Sequence, residues 1–302
     1  MLLRQNWVLS CVGEQARITS GALTAIIAQH GAELQSLTDN QGRELMSDGN
    51  PVFWGGRAPL LFPIVGRLNE DMLRLGDAAY SMQKHGFARK SDFAVVDASD
   101  SAALFRLRDS TESRTQYPFA FELDAHFRLD GATLHKTITV CNSGDEELPF
   151  SFGYHPAFAW PLPFGGSREV HQIGFECDEP ANLARVTPYG TIGPDAVPTP
   201  VAGNVLALED ALFDDDALVW RDLNSRRLTY GTPGYPHLSI AFPDTPHLGI
   251  WTKAGAAFVC VEPWAGIADP EGYRGDFRDK PGVMNLAPGD ERCFRMDITL
   301  TA

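Results

Sequence analysis

The sequence predicts an all-β protein, one large antiparallel β-sandwich, on three observations. Apolar residues recur with period two through most of the chain, as in strands with one buried face. The 21 prolines and 28 glycines are spread among Asp-, Asn- and Ser-containing turns instead of being gathered into a linker. No βαβ alternation and no fixed-period repeat is visible, which disfavours a doubly wound nucleotide fold. With no linker to divide it, the chain reads as a single domain over residues 1–302, a length that one all-β sandwich can fill.

The elements follow in chain order. "FAVVDASDSAALFRL", residues 93–107, reads as two short strands around an Asp-Ser turn. In "FAFELDAHFRLDGATLHKTITV" the residues Phe119, Phe121, Leu123, Ala125, Phe127 and Leu129 alternate onto one face. Asp130-Gly131 then supplies a hairpin turn, and Leu134, Ile138 and Val140 resume the alternation. His126 and His135 fall on the outward side. "NVLALEDALFDDDA", residues 204–217, is the best helical candidate. "LVWRDLNSRRLTYG", "HLSIAFPDTPHLGIW" and "ERCFRMDITL" return to short strands between polar turns. Two such sheets stack face to face over interleaved apolar side chains.

Composition narrows the function. An apolar content of 44% and a charged content of 21% are those of a soluble globular protein. The net charge of −14 repels a nucleic-acid backbone over most of the surface, so nucleic acid is not an expected partner. "MLLRQNWVLS" lacks the apolar core of a signal peptide and no apolar run reaches membrane-span length, so the expectation is a cytoplasmic protein with no membrane partner. Cys11, Cys141, Cys177, Cys260 and Cys293 are scattered and odd in number. That pattern suits reduced, buried thiols rather than a disulfide frame or a zinc site.

Three stretches carry groups capable of chemistry. In "FSFGYHPAFAW", residues 150–160, Pro156 holds His155 in an extended backbone and removes one N–H. Such a histidine is either a satisfied core residue or a proton shuttle. In "AAFVCVEPWAG", Phe258, Cys260 and Glu262 share one strand face while Val259 and Val261 share the other. The strand is buried on both sides until a carboxylate arrives at its end. Burial raises a carboxyl pKa toward the range useful to a general base; leaving the sheet for water or an arginine is the alternative. "QKHGFARK" places His85 and Arg89 in a loop that turns at Gly86, either a binding loop or a solvated basic one. Upstream, "APLLFPIVGRLN" puts Arg67 after a proline-broken strand, as a donor to a ligand or as a partner for Glu262.

Other chemistries have no motif here: no P-loop, no G-x-G-x-x-G, no G-x-S-x-G, no C-x-x-C and no H-E-x-x-H. The triple Asp214, Asp215 and Asp216 fits a solvated turn or helix cap better than a metal site, since adjacent acids point to different sides.

"LFPIVGRL", "HGFAR", "FGYHPAF" and "VEPWAG", in that order, resemble the aldose 1-epimerase (mutarotase) family, in its bacterial branch with short HGFAR and EPW motifs. The likeness runs from about Ile18 to the final strand. It implies a galactose mutarotase-like supersandwich with a sugar cleft, no cofactor, a small-molecule sugar as partner, and a monomer or homodimer. By residue it implies His155 as general acid, Glu262 as general base, His85 as a sugar-binding histidine, Arg67 as a cleft arginine, and Asp216 as the aspartate that contacts sugar hydroxyls, with Asp214 and Asp215 of the same run as the alternatives. Arg89 belongs to the same motif as His85. Trp160, Trp264, Phe87 and Phe158 are the expected apolar walls.

The implied reaction interconverts the α and β anomers of an aldohexose by opening and reclosing the ring, with neutral glucose or galactose favoured over a hexose 6-phosphate. The competing readings are a non-catalytic carbohydrate-binding or sensing protein on the same scaffold, and a glycosidase. The second needs two carboxylates across the scissile bond, and only Glu262 stands out.

Overall fold

The computed structural model describes residues 15–302, so Cys11 and the amino-terminal decapeptide lie outside the described residues. Two antiparallel sheets dominate. One runs, in spatial order, Val205–Ala207, Gln172–Phe175, Arg227–Gly231, His237–Ala241, Glu291–Thr301, Thr133–Asn142, Phe121–Asp130, Ala102–Arg108 and Ala94–Ala98. The other runs Ile192–Val197, Leu183–Val186, Leu218–Trp220, His247–Trp251, Phe258–Ala265, Phe152–Tyr154 and Leu60–Leu61, and Ala157–Ala159 also pairs with its Phe258–Ala265 strand.

The expected alternations produce the interface between these sheets. Phe121, Leu123, Ala125, Phe127 and Leu129 are all buried, the Asp130-Gly131 turn closes the hairpin, and Leu134, Ile138 and Val140 face the same core. From the opposing sheet come Phe152, Tyr154, Leu248, Ile250, Val259 and Val261. The contact is direct: Phe152 stacks on Phe294 with ring centroids 4.7 Å apart, and the Tyr154 hydroxyl donates to the Phe294 carbonyl at 2.8 Å. Burying such side chains contributes roughly 1.5–3 kcal/mol each relative to leaving them exposed. No described helix is long and apolar enough to cross a membrane.

Four expectations are corrected. Residues 204–217 form no α-helix; Val205–Ala207 is an edge strand paired with Gln172–Phe175, and Asp210–Phe213 is a single 3₁₀ turn. Leu206 and Leu208 are buried with period two, Phe213 is buried from the 3₁₀ turn, and strand pairing outweighs the helical spacing. Of the described cysteines only Cys260 is buried, whereas Cys177 and Cys293 are exposed. His126 is exposed as expected, but His135 is half-buried and meets Asp297 of the neighbouring strand at 2.7 Å. Glu262 does not end its strand, which continues through Trp264 and Ala265 and is buried at every position.

Candidate active site

Strand pairing brings His155 and Glu262 together. On Phe258–Ala265 the odd residues Val259, Val261 and Ala265 enter the inter-sheet core, so Phe258, Cys260, Glu262 and Trp264 face the other way. Gly153 pairs with Trp264 and Ala157 with Cys260, which sets His155 directly opposite Glu262. Pro156 interrupts the ladder between those pairs and still accepts a bond from the Val261 N–H at 3.1 Å. The result is a cross-strand pair on one face, with His155 Nε2 3.2 Å from Glu262 Oε2.

A cleft of about 280 Å³ covers this pair, at the lower edge of the roughly 300–1,000 Å³ usual for small-molecule pockets. His85, Arg89, Asp216, Trp54, Trp251, Trp264 and Lys84 line it with them. A larger open groove beside Arg106 and Arg108 offers no buried acid–base pair, and Arg106 there is already held by Glu122 and Asp124. Trp264 forms part of the wall because two glycines make room for it. A Cβ at Gly249 or at Gly153 would stand 2.5 Å from its indole. Trp54 stacks on the His155 ring with centroids 4.7 Å apart and planes at 26°.

Burial sets the electrostatics. It pushes the Glu262 carboxyl up to about 8, against the charge of Lys84 and with that of Asp216. It drives the His155 imidazole down to about 3, with Lys84 and Arg89 adding repulsion. Both groups therefore favour their neutral forms, and the pair keeps one proton across the neutral range. His155 Nδ1 is buried without a partner.

His85 is a different histidine. Its backbone is in the left-handed region, φ 67°, and its N–H donates to the Gly66 carbonyl at 2.7 Å. Its Nδ1 accepts the Gly66 N–H at 3.1 Å, so the ring hydrogen of the neutral form sits on Nε2 as a donor. Burial, with His155, Lys84 and Arg89 adding like charge, holds its pKa well below the usual imidazole range. Gly86 is required beside it: φ is 71° and a Cβ there would stand 2.1 Å from the Phe62 carbonyl oxygen.

The remaining expected residues divide. Arg89 lines the cleft, donates to the Lys84 carbonyl at 2.9 Å, and keeps a buried Nε without a partner. Asp216 is exposed at the rim, whereas Asp215 turns to Arg185 at 3.2 Å. Arg67 does not line the cleft; Asp71, four residues on, holds its guanidinium in two bonds of 2.7 and 2.6 Å. Arg67 is therefore not the partner of Glu262.

Of the expected walls only Trp264 lines the cleft. Phe87 packs on Phe62 and Phe121, Phe158 on Tyr230, and Trp160 under Arg168. Trp54, Trp251 and Lys84 were not anticipated as lining residues. Trp251 was within reach of periodicity, since Leu248 and Ile250 face the core and leave Gly249 and Trp251 on the side of Glu262. Trp54 lies in a loop with no period to read.

The aldose 1-epimerase family model matches residues 14–269. The chromosomal LacX protein of Lactococcus lactis subsp. lactis is 30% identical over 288 residues, covering 92% of this chain and 96% of that protein. A galactose mutarotase-like protein from Lactobacillus casei superposes with a TM-score of 0.89 at 32% identity, over 95% of this chain and all (100%) of the other. A galactose mutarotase related enzyme from Lactobacillus acidophilus superposes with a TM-score of 0.86 at 32% identity, over 95% and 97% of the two chains. The order of the four motifs, the sandwich and the family match agree, and this chain belongs to the aldose 1-epimerase family.

Proposed function

We propose that the protein is an isomerase that interconverts the α and β anomers of a neutral aldohexose such as glucose or galactose. The observation that carries this reading is the buried contact of His155 with Glu262 on a cleft face walled by indoles. Glu262 takes the proton of the C1 hydroxyl while His155 gives its proton to the ring oxygen, and the C1–O5 bond breaks to an open-chain aldehyde. Rotation about C1–C2 exposes the other carbonyl face. The reverse transfers then close the ring as the opposite anomer. Each proton transfer contributes about 10²–10⁴-fold.

The reacting tautomer is the carboxylate–imidazolium pair, formed from the neutral resting pair by moving its shared proton from Glu262 to His155 across their 3.2 Å contact. Ring opening then returns both groups to their neutral forms, and ring closure regenerates the ion pair. Neutral His85 places an Nε2 donor toward the sugar and avoids a second cation beside His155. Trp264 and Trp251 offer faces for the apolar side of the pyranose, and Asp216 a rim acceptor for its hydroxyls.

A sugar-binding protein without turnover would use the same walls but has no need of a buried acid–base pair. A hexose 6-phosphate is the second substrate reading, supported by Lys84 and Arg89 in the lining. The net charge of −14 and the capture of Arg67 by Asp71 weigh against it. Polarimetry of freshly dissolved α-D-glucose and α-D-galactose tests the proposal: the protein accelerates relaxation to the equilibrium rotation in proportion to its concentration. Unchanged relaxation for every aldohexose tried contradicts it.

A further inference from the structure

We propose that Cys260, His155 and Glu262 together form a binding site for one thiophilic divalent cation, Zn²⁺ or Cd²⁺. Occupancy of this site silences the acid–base pair, a consequence that rests on the reaction proposed above.

Strand geometry assembles the donors. Cys260 and Glu262 are two residues apart on one face, and His155 faces Glu262 from the next strand. One sulfur, one nitrogen and one carboxylate oxygen, all buried, lie within 4.8 Å of one another. A tetrahedral ion with bonds of about 2.0–2.3 Å holds its donor atoms roughly 3.3–3.8 Å apart. The His155–Glu262 separation of 3.2 Å lies at the short end of that range, and the Cys260 sulfur, within 4.8 Å of both ligand atoms, moves toward them on binding. Three protein ligands leave a fourth position free, and two of them, His155 and Glu262, line the cleft while Cys260 lies buried behind them.

The donor set selects the ion. Sulfur and imidazole favour zinc and cadmium, whereas calcium and magnesium need six or more oxygen ligands, which this pocket lacks. A thiolate and a carboxylate also neutralise the two positive charges. An uncompensated cation would be repelled by Lys84 and Arg89 on the same cleft. No carboxylate or carbonyl holds His155 Nδ1, so the site lacks the outer support that tightens structural zinc centres. It is a reversible, inhibitory site. Motif spacing could not reveal it, because two of its ligands are i, i+2 on a strand and the third comes from across the ladder.

The test uses Cd²⁺ and its ultraviolet thiolate charge-transfer band. In a background with Cys11, Cys141, Cys177 and Cys293 replaced by serine, the expected result is a band saturating at one equivalent, abolished by Cys260→Ala. Equilibrium dialysis of the wild-type chain against the single Cys260→Ala variant gives a second reading, with one tight equivalent fewer in the variant. In the anomer assay Cys260→Ala keeps its uninhibited rate within about twofold, while its apparent Cd²⁺ inhibition constant rises at least about tenfold. No Cys260-dependent band and no lost equivalent overturns the site. Equal inhibition of both proteins overturns its link to activity. The band and the dialysis read the metal alone, so they stand even if no sugar turns over.

Discussion

His155 and Glu262 face each other across an antiparallel strand pairing, Nε2 to Oε2 at 3.2 Å, largely buried on the wall of a cleft that Trp54, stacked on His155, and Trp264 also line. Neither side chain makes a hydrogen bond to another described residue, so this contact is the one polar approach each has. If the pair performs the two proton transfers, Glu262→Gln and His155→Asn each lower kcat by at least about 10²-fold. His85→Ala, which removes a positioning donor, raises KM with a smaller loss of kcat. Thermal melts check that the variants fold. Near-parental turnover in a folded Glu262→Gln or His155→Asn contradicts the assignment.

The same pair dictates the pH profile. Its working form carries one proton, which is lost as pH rises through the Glu262 value of about 8 and doubled only below the His155 value of about 3. The expectation is a kcat/KM that is flat from weakly acid to neutral pH and falls above about 8. An acid limb centred near 6.5, the ordinary imidazole value, would show a histidine titrating alone. The stability sign follows from linkage. Glu262, raised in the fold, contributes fully below its unfolded value of about 4.5 and loses that contribution as pH rises to about 8. The Tm of Glu262→Gln relative to the parent therefore increases between pH 5 and pH 8.

The strands and the order of the motifs were legible because both live in local patterning. Phe119 to Leu129 alternate without exception, and Asp130-Gly131 marks its turn in two letters. Glu262 was legible as a carboxylate in an apolar run. Its depth was not, because Trp264 continues the cleft face and only the paired strands show that Gly249 and Gly153 open space for it. Arg67 misled for a local reason: Asp71 captures it through a turn in which Glu70 and Asp71 are both left-handed, φ 61° and 55°. Phe87, Phe158 and Trp160 sit in the same motifs as the cleft residues but point to the core, a distinction set by tertiary packing.

Lys136 gives a stability prediction independent of the site. It is 1% exposed in the inter-sheet core, its ammonium without a hydrogen-bond partner and 5.0 and 5.7 Å from the Tyr154 and Phe127 ring centroids. Burial lowers it to about 7 from 10.5, with Glu33 opposing, so the unfolded chain holds more protons between those values and stability rises with pH there. Lys136→Met removes this cost. Its Tm exceeds the parent's by at least about 2 °C at pH 6 and by less at pH 10. A variant less stable than the parent at pH 6 would mean that the ring contacts outweigh desolvation.

Substrate charge is decided by comparing kcat/KM for glucose and glucose 6-phosphate at low and high salt. The neutral sugar is the expected preference. A preference above about tenfold for the phosphate, weakened by salt and abolished by Arg89→Ala, would show that Lys84 and Arg89 outweigh the global charge.

The most direct measurement of the central claim is NMR exchange spectroscopy between the α and β anomers of glucose and galactose at equilibrium, in the presence of a chelator, with wild-type protein and with Glu262→Gln. The expected exchange cross-peaks grow with wild-type concentration, survive chelation because the two proton transfers use side chains alone, and collapse in Glu262→Gln. Sugar binding seen by line broadening with no added anomer exchange, or exchange that persists unchanged in Glu262→Gln, would contradict it.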